Sequence, residues 1–166
     1  MWGDSGSYAG GGKIILMSRH EDRQKLGREF GATDIVAERG DEGVAKVKAL
    51  TADEAGVDAA LECVGTNESM QTAFAVAAPG AIVGTVGLPH DVEVPFMDLF
   101  FRNVGFHGGP APTRTYAPLL LDAVLKGEIN PGKVFTFTTD LDHIAEAYEK
   151  MDKREAIKSY ITVSEV

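Results

Sequence analysis

The sequence predicts an α/β fold in which short parallel strands alternate with helices. Extended apolar runs alternate along the chain with segments whose apolar residues recur at helical spacing, which is typical of βα units. The chain has 166 residues, of which 44% are hydrophobic and 25% are charged, the composition of a globular protein that buries one core.

The first two strands are each followed by a helix. Residues 14–17 form the first strand, and the helix over residues 21–30 has acidic residues in its first turn and ends at Gly31. Residues 34–37 form the second strand. The helix over residues 41–50 then carries its apolar residues along one side, as a helix at the surface of a core does.

The middle of the chain continues the alternation. Residues 57–62 form the third strand, and Thr66 can cap the helix that follows it. The Pro-Gly pair at residues 79–80 is expected to turn the chain into a fourth strand over residues 81–86.

The C-terminal third carries two further strands and two further helices. Residues 104–107 form a fifth strand, and an apolar helix over residues 119–126 is closed by Gly127. Asp140 is expected to cap the last helix. Residues 157–163 alternate between apolar and polar types, as a half-buried strand does.

Composition excludes several classes of function. The formal net charge of -9, without a Lys/Arg cluster, argues against nucleic-acid binding. Cys63 is the only cysteine, so the chain builds neither an internal disulfide nor a cysteine-rich zinc lobe, and a reducing cytoplasmic location is the simplest expectation. The sequence has no apolar run of membrane-spanning length and no signal-peptide pattern, so no membrane association is expected.

The end of the first strand carries the clearest functional signal. Ser18 and Arg19 follow that strand at the βα junction where Rossmann-like domains bind the adenosine ribose of a dinucleotide. A carboxylate there suits the 2′-hydroxyl of NAD, whereas an arginine beside a small hydroxyl suits the 2′-phosphate of NADP. The pair therefore predicts NADP. The alternative is a solvated helix start that is rich in charge.

The first dozen residues, MWGDSGSYAGGG, differ from the rest because they are rich in Gly and Ser and lack apolar periodicity. They predict a flexible or irregular lead-in over residues 1–12. Their glycines precede a strand instead of following one, which argues against a phosphate-binding loop.

From residue 14 to its C-terminus, the chain resembles the later half of a medium-chain, zinc-type alcohol dehydrogenase. Five stretches carry the resemblance in the family's order: SRHEDRQKLGREFGATDIV, GVDAALECVG, APGAIVGTVGLP, FRNVGFHGG and LDHIAEAYEKMDKREAIKSYITV. The first stretch is most similar to the NADP-using members. The resemblance implies an oxidoreductase with a partial Rossmann coenzyme-binding domain over residues 13–128. Residues 129–166 would be a segment that in the family packs on the catalytic domain.

The resemblance also implies a set of cofactor-binding residues. Ser18 and Arg19 would hold the 2′-phosphate, and Arg23, one helical turn on, would reach the adenosine end. The other implied contacts lie along the rest of the dinucleotide: Val64 and Gly65 near the ribose, Val86, Gly87 and Leu88 beside the nicotinamide, Gly105 and His107 at the carboxamide, and Lys158 at the pyrophosphate. The alternative for Val64 and Gly65 is a plain strand-to-helix turn. For the segments of residues 86–88 and 105–107 it is core packing with one edge-strand histidine, and for Lys158 it is an ordinary surface lysine.

Two parts of the family are expected to be missing. The βα unit with G-x-G-x-x-G, which binds the pyrophosphate, should lie just before Lys13, where the Gly/Ser lead-in stands instead. The catalytic domain with its zinc ligands is absent as well, and the four histidines show no ligand spacing. We therefore expect no zinc and no catalytic residue in this chain.

The missing strand leaves a gap in the expected sheet. Either the strands over residues 14–17 and 57–62 pair directly, or the lead-in supplies partners, or another chain fills the gap. By resemblance, the edge strand over residues 104–107 is expected to form a homodimer or a higher homo-oligomer.

Three functions stay open. The chain is the NADP-binding part of an oxidoreductase that needs a separate catalytic domain, or a non-catalytic nucleotide-binding or self-association module, or a truncated remnant of a full-length enzyme.

Overall fold

The computed structural model describes residues 12–164, which divide into two compact units. The division falls between Pro118 and Leu119. All but the last residue of the predicted lead-in lies outside the described residues.

The first unit contains five strands and four helices in its described part. The strands are β1 Ile15–Met17, β2 Asp34–Val36, β3 Val57–Glu62, β4 Ala77–Thr85 and β5 Gly105–Gly108. The helices are α1 Glu21–Glu29, α2 Gly40–Ala49, α3 Asn67–Val76 and α4 Phe96–Arg102, and a short 3-10 helix covers Ala52–Glu54. A fifth helix, α5 Thr113–Leu125, spans the division between the units.

The second unit is a parallel strand pair with a helix between its strands. β6 Phe135–Asp140 pairs with β7 Lys158–Thr162, α6 Ile144–Asp152 connects them, and a 3-10 helix covers Pro131–Val134. The Ser159 hydroxyl donates to the carbonyl of Ala147 at 3.2 Å, which ties the strand pair to the buried face of α6.

Every strand pair is parallel, which confirms the predicted α/β class. β1 pairs with β2, and β4 lies between β3 and β5. Across the described residues β1 and β3 share no hydrogen-bonded ladder, so the first unit holds two half-sheets. Direct pairing of these two strands, one of the three arrangements expected from the sequence, does not occur.

One hydrophobic core nevertheless joins the two half-sheets. Val36 of β2 and Val47 of α2 pack in the same cluster as Met70 and Phe74 of α3 and Val83 of β4. Burial of such side chains contributes about 1.5–3 kcal/mol each. Among the described residues, the half-sheets are therefore joined through the side chains of this core and not through a hydrogen-bonded strand ladder.

The fourth strand is longer than predicted. Pro79 and Gly80 were expected to form a turn before it, but both lie inside β4, which begins at Ala77. Ala77 pairs with Val57, and the register shifts before Ala59 pairs with Ile82. An irregularity of this kind accommodates a proline, which has no N–H to donate.

Three other elements differ from prediction. α4 and β6 were not predicted, and α5 begins at Thr113, ahead of the predicted range of residues 119–126, and includes Pro118. Asp140 ends β6, and its carboxylate accepts from the His143 N–H at 3.0 Å. It therefore caps the turn before α6, while His143 itself occupies the N-cap position of the helix.

Candidate functional site

Ser18 is held between β2 and α1 by its backbone. Its N–H donates to the carbonyl of Val36 at 3.0 Å, which extends the β1–β2 pairing by one residue. Its own carbonyl accepts from the Gln24 side chain at 2.6 Å. These two bonds fix the strand end from which Arg19 projects.

Arg19 and Arg23 present positive charge at the start of α1. Both residues are exposed, and within residues 12–164 neither guanidinium forms a hydrogen bond or an ion pair with another residue. The first turn of α1 also carries Glu21 and Asp22. Because these carboxylates share the positive pole of the helix, an anion bound here depends on the two guanidinium groups.

A buried carboxylate organises the ends of β3 and β4. Glu62, the last residue of β3, is 3% exposed. Its Oε1 accepts from the N–H groups of Val64 at 2.7 Å and Gly65 at 2.9 Å and from the Ser69 hydroxyl at 2.8 Å. Its Oε2 accepts from the Thr85 hydroxyl at 3.1 Å.

The loops after β3 and β4 pack tightly against each other. The Val86 N–H donates to the Glu62 carbonyl and the His90 N–H to the Gly65 carbonyl, each at 2.9 Å. Gly65 has a φ of 91°, and a Cβ there would clash with the Leu88 carbonyl. A Cβ on Gly87 would clash with the Gly65 nitrogen. Loop packing by itself therefore requires both glycines.

The outward side of these loops is apolar. Val64 is 68% exposed, Val86 51% and Leu88 73%. All three follow the carboxyl ends of parallel strands, the edge at which open α/β sheets bind ligands. The structure thus brings the predicted residues of the two loops together.

The predicted residues of β5 lie beside β4. Gly105 pairs with Ile82 and His107 with Gly84, and both Gly105 and His107 lie on the sheet face opposite the buried Val83. Phe106, which is 39% exposed, packs edge-to-face on the buried Phe74 with 5.3 Å between ring centroids. Lys158 lies on β7 of the second unit, where it is exposed.

Glu62 and the packing of Gly65 against Leu88 were missed from the sequence. The signal available was an acidic residue at the end of the strand VDAALE, after the apolar run of residues 59–61 and three residues before a glycine. A buried ionised carboxylate needs several donors, and these come from residues 64, 65, 69 and 85.

The described residues do not fit a zinc ion. Between residues 12 and 164, no three His, Cys, Asp or Glu side chains are grouped so that they could hold a metal.

No described helix has the length and apolar character needed to cross a bilayer.

Comparisons with known proteins agree on one family. Residues 7–125 match a family model described as zinc-binding dehydrogenase. An alcohol dehydrogenase of Malus domestica is 29% identical over 163 residues, which are 95% of this chain and 43% of that protein. The chain therefore spans less than half the length of this curated relative.

Two solved structures have the same fold. The apo zinc-dependent alcohol dehydrogenase 2 from Streptococcus pneumoniae is 28% identical, with a TM-score of 0.83 over 93% of this chain and 46% of that one. A zinc-binding dehydrogenase from Sinorhizobium meliloti 1021 bound to NADP is 25% identical, with a TM-score of 0.72 over 98% of this chain and 46% of that one.

Proposed function

The chain belongs to the zinc-binding dehydrogenase family, and on that premise we propose that it is the NADP-binding part of an alcohol-dehydrogenase-like oxidoreductase. The observation that carries the proposal is the exposed guanidinium of Arg19 beside Ser18 at the carboxyl end of β1.

The residues that would bind the adenosine end of the coenzyme are the reason for the proposed preference for NADP over NAD. The guanidinium of Arg19 can form two parallel hydrogen bonds to a phosphate, and the Ser18 hydroxyl adds a neutral donor. Arg23 follows one helical turn later and adds a second positive charge. Neither Ser18 nor Arg19 offers the carboxylate that would accept a hydrogen bond from the 2′-hydroxyl of NAD.

The loops after β3 and β4 would hold the middle and nicotinamide end of the dinucleotide. Val64, Val86 and Leu88 offer exposed aliphatic side chains for the flat faces of ribose and nicotinamide. When bound, NADP supplies the nicotinamide ring that exchanges a hydride. The residues of this chain bind and orient that ring, and the donor set described above supports no step that uses zinc.

A second candidate function is self-association through β5. In the described residues β5 pairs only with β4, so its other edge is open. The neighbouring helix α4 exposes Phe96, Met97, Phe100 and Phe101, each at 60% or more. An open strand edge beside exposed aromatic side chains favours a homo-oligomer. A cytoplasmic location, predicted from the single cysteine, completes the proposal.

The proposal is tested by titrating the chain with NADPH and NADH, using calorimetry. We expect NADPH to bind more tightly, and Arg19→Ala to weaken NADPH binding by about 1 to 3 kcal/mol, which is about fivefold to 150-fold in affinity, because a charge-assisted phosphate contact is lost. NADH affinity should change little, since NADH has no 2′-phosphate.

Lys25→Ala is the matched control, because Lys25 is an exposed cation on α1, the helix that follows Arg19. An equal loss of NADPH affinity in both variants would show that Arg19 acts only through its general positive charge. Equal affinity of the unmodified chain for NADPH and NADH would refute the predicted preference.

A further inference from the structure

The described residues that donate to the Glu62 carboxylate are all neutral. They are two backbone amides and two hydroxyls. Burial alone raises the pKa of Glu62, but the hydrogen bonds from Gly65, Ser69, Val64 and Thr85 together hold that pKa below its ordinary value. The side chain is therefore an anion that four oriented dipoles stabilise.

The two carboxylate oxygens serve two different loops. Oε1 takes all its donors from the segment after β3 and the start of α3, whereas Oε2 takes its donor from Thr85 at the end of β4. The carboxylate thus bridges two strands whose pairing ends at this point, where Glu62 lies opposite Thr85.

Both successive amides after Cys63 point inward as a result. The N–H groups of Val64 and Gly65 donate to the same oxygen, so neither is available to a ligand. The Val64 side chain is left on the outside, where it is 68% exposed. This loop can therefore meet a ligand through apolar surface and carbonyl oxygens, and a ribose hydroxyl would have to approach it as a donor.

We propose that Glu62 is a positioning residue of the dinucleotide site. Its carboxylate sets the outward face formed by Val64, Val86 and Leu88 by holding the two loops at a fixed separation. The inference rests on the proposed function, since it concerns the half of the site that lies away from Ser18 and Arg19. It assigns Glu62 no contact with the ligand.

A comparison of two ligands separates positioning from general stability. NADPH would reach both halves of the site, whereas adenosine 2′,5′-bisphosphate carries the 2′-phosphate and lacks the nicotinamide end. We expect Glu62→Ala to weaken NADPH about tenfold or more while adenosine 2′,5′-bisphosphate binds as in the unmodified chain. Glu62→Gln keeps an oxygen for the two amides and should bind NADPH within about threefold of the unmodified chain.

A stability-matched control accompanies these variants. Val47→Ala removes buried volume from α2, away from both loops, and should lower the unfolding temperature without changing either affinity. If Glu62→Ala does not fold, Glu62→Asp replaces it. This variant keeps the charge but shortens the bridge, and it should weaken NADPH and leave adenosine 2′,5′-bisphosphate unchanged.

The outcomes distinguish the two proposals. Equal weakening of both ligands by Glu62→Ala or Glu62→Asp, or no weakening of NADPH, overturns the positioning role while the proposed function stands. Failure of the unmodified chain to bind adenosine 2′,5′-bisphosphate and NADPH overturns the proposed function, and this inference with it.

Discussion

At the scale of single residues, Gly65 shows how a glycine in a candidate cofactor loop can have a purely internal cause. The family resemblance implied a contact of Gly65 near the ribose of the coenzyme, with a strand-to-helix turn as the alternative. The structure places the Leu88 carbonyl where a Cβ would stand, and the φ of 91° is in the left-handed region. Both features demand glycine whether or not a ligand is bound.

Gly65→Ala should therefore destabilise the fold more than Gly80→Ala does. Gly80 has a similar φ of 82° but open space around its Cβ position, so it reports the backbone strain alone. Strain of this kind costs about 1–2 kcal/mol, and the clash at Gly65 should add about 1–3 kcal/mol. Urea unfolding of the two variants measures the difference. Equal losses would show that the loop moves freely to admit the methyl group.

Glu62 should make the stability of the fold sensitive to acid. Its pKa is lowered on folding, so its ionised form contributes stability above the ordinary value of 4.5, and this contribution is lost as the pH falls through the folded-state pKa. Glu62→Gln cannot ionise. The gap in unfolding free energy between the unmodified chain and this variant should narrow as the pH is lowered from about 7 to about 3. A gap that is constant over that range would mean that Glu62 does not titrate with folding.

At the scale of elements, α4 and β5 form an exposed apolar region of the described first unit. Leu99 and Val104 are buried, whereas the aromatic residues of α4 face outward beside a groove lined by Ile82, Val94, Phe96, Phe100 and His107. The Asp98–Arg102 ion pair, and the Arg102 bonds to the Phe74 and Ala77 carbonyls, anchor α4 on the sheet. A helix that is anchored yet exposes four large apolar side chains is suited to an interface.

Phe101→Asp should shift the chain from dimer to monomer. Phe101 is 78% exposed, so the substitution costs the monomer little, but a carboxylate buried at an interface without a partner is strongly unfavourable. Sedimentation velocity over a range of concentrations measures the association state. Leu125→Asp, at an equally exposed position on α5, is the control. An unmodified chain that stays monomeric at high concentration would contradict the prediction.

At the scale of the whole molecule, the two half-sheets correspond to the gap in the sheet that the sequence predicts, and the structure adds that β1 and β3 do not close it by pairing directly. A continuous parallel sheet would need a strand between β1 and β3, and none lies there among the described residues. Helices α2 and α3 compensate, because Val47 and Met70 bury side chains in a cluster that includes residues of both half-sheets. Among residues 12–164, no strand pairs with the edge of β1 opposite β2 or with the edge of β3 opposite β4, so a further strand could pair with either edge.

Much of this architecture follows from the sequence alone. β3 was predicted with its observed bounds, β1 and β2 within one residue, and Thr66 caps α3 as expected, accepting from the Ser69 N–H at 3.3 Å. Apolar periodicity and capping residues act over a few positions, so they can be recognised locally. The position of Ser18 and Arg19 at a strand end is local in the same sense.

Only the tertiary structure decided what depends on residues far apart in the chain. The Glu62 bridge needs Thr85, 23 residues away, and the extension of β4 through Pro79 and Gly80 needs Val57 as a partner for Ala77. Whether β1 and β3 pair also depends on segments far apart in the chain, and in the structure they do not pair. The sequence by itself determined the order of strands and helices and the charge at the end of β1, because short-range preferences encode them. Hydrogen bonds and packing between distant segments, which have no local signature, determined the loops and the division of the sheet.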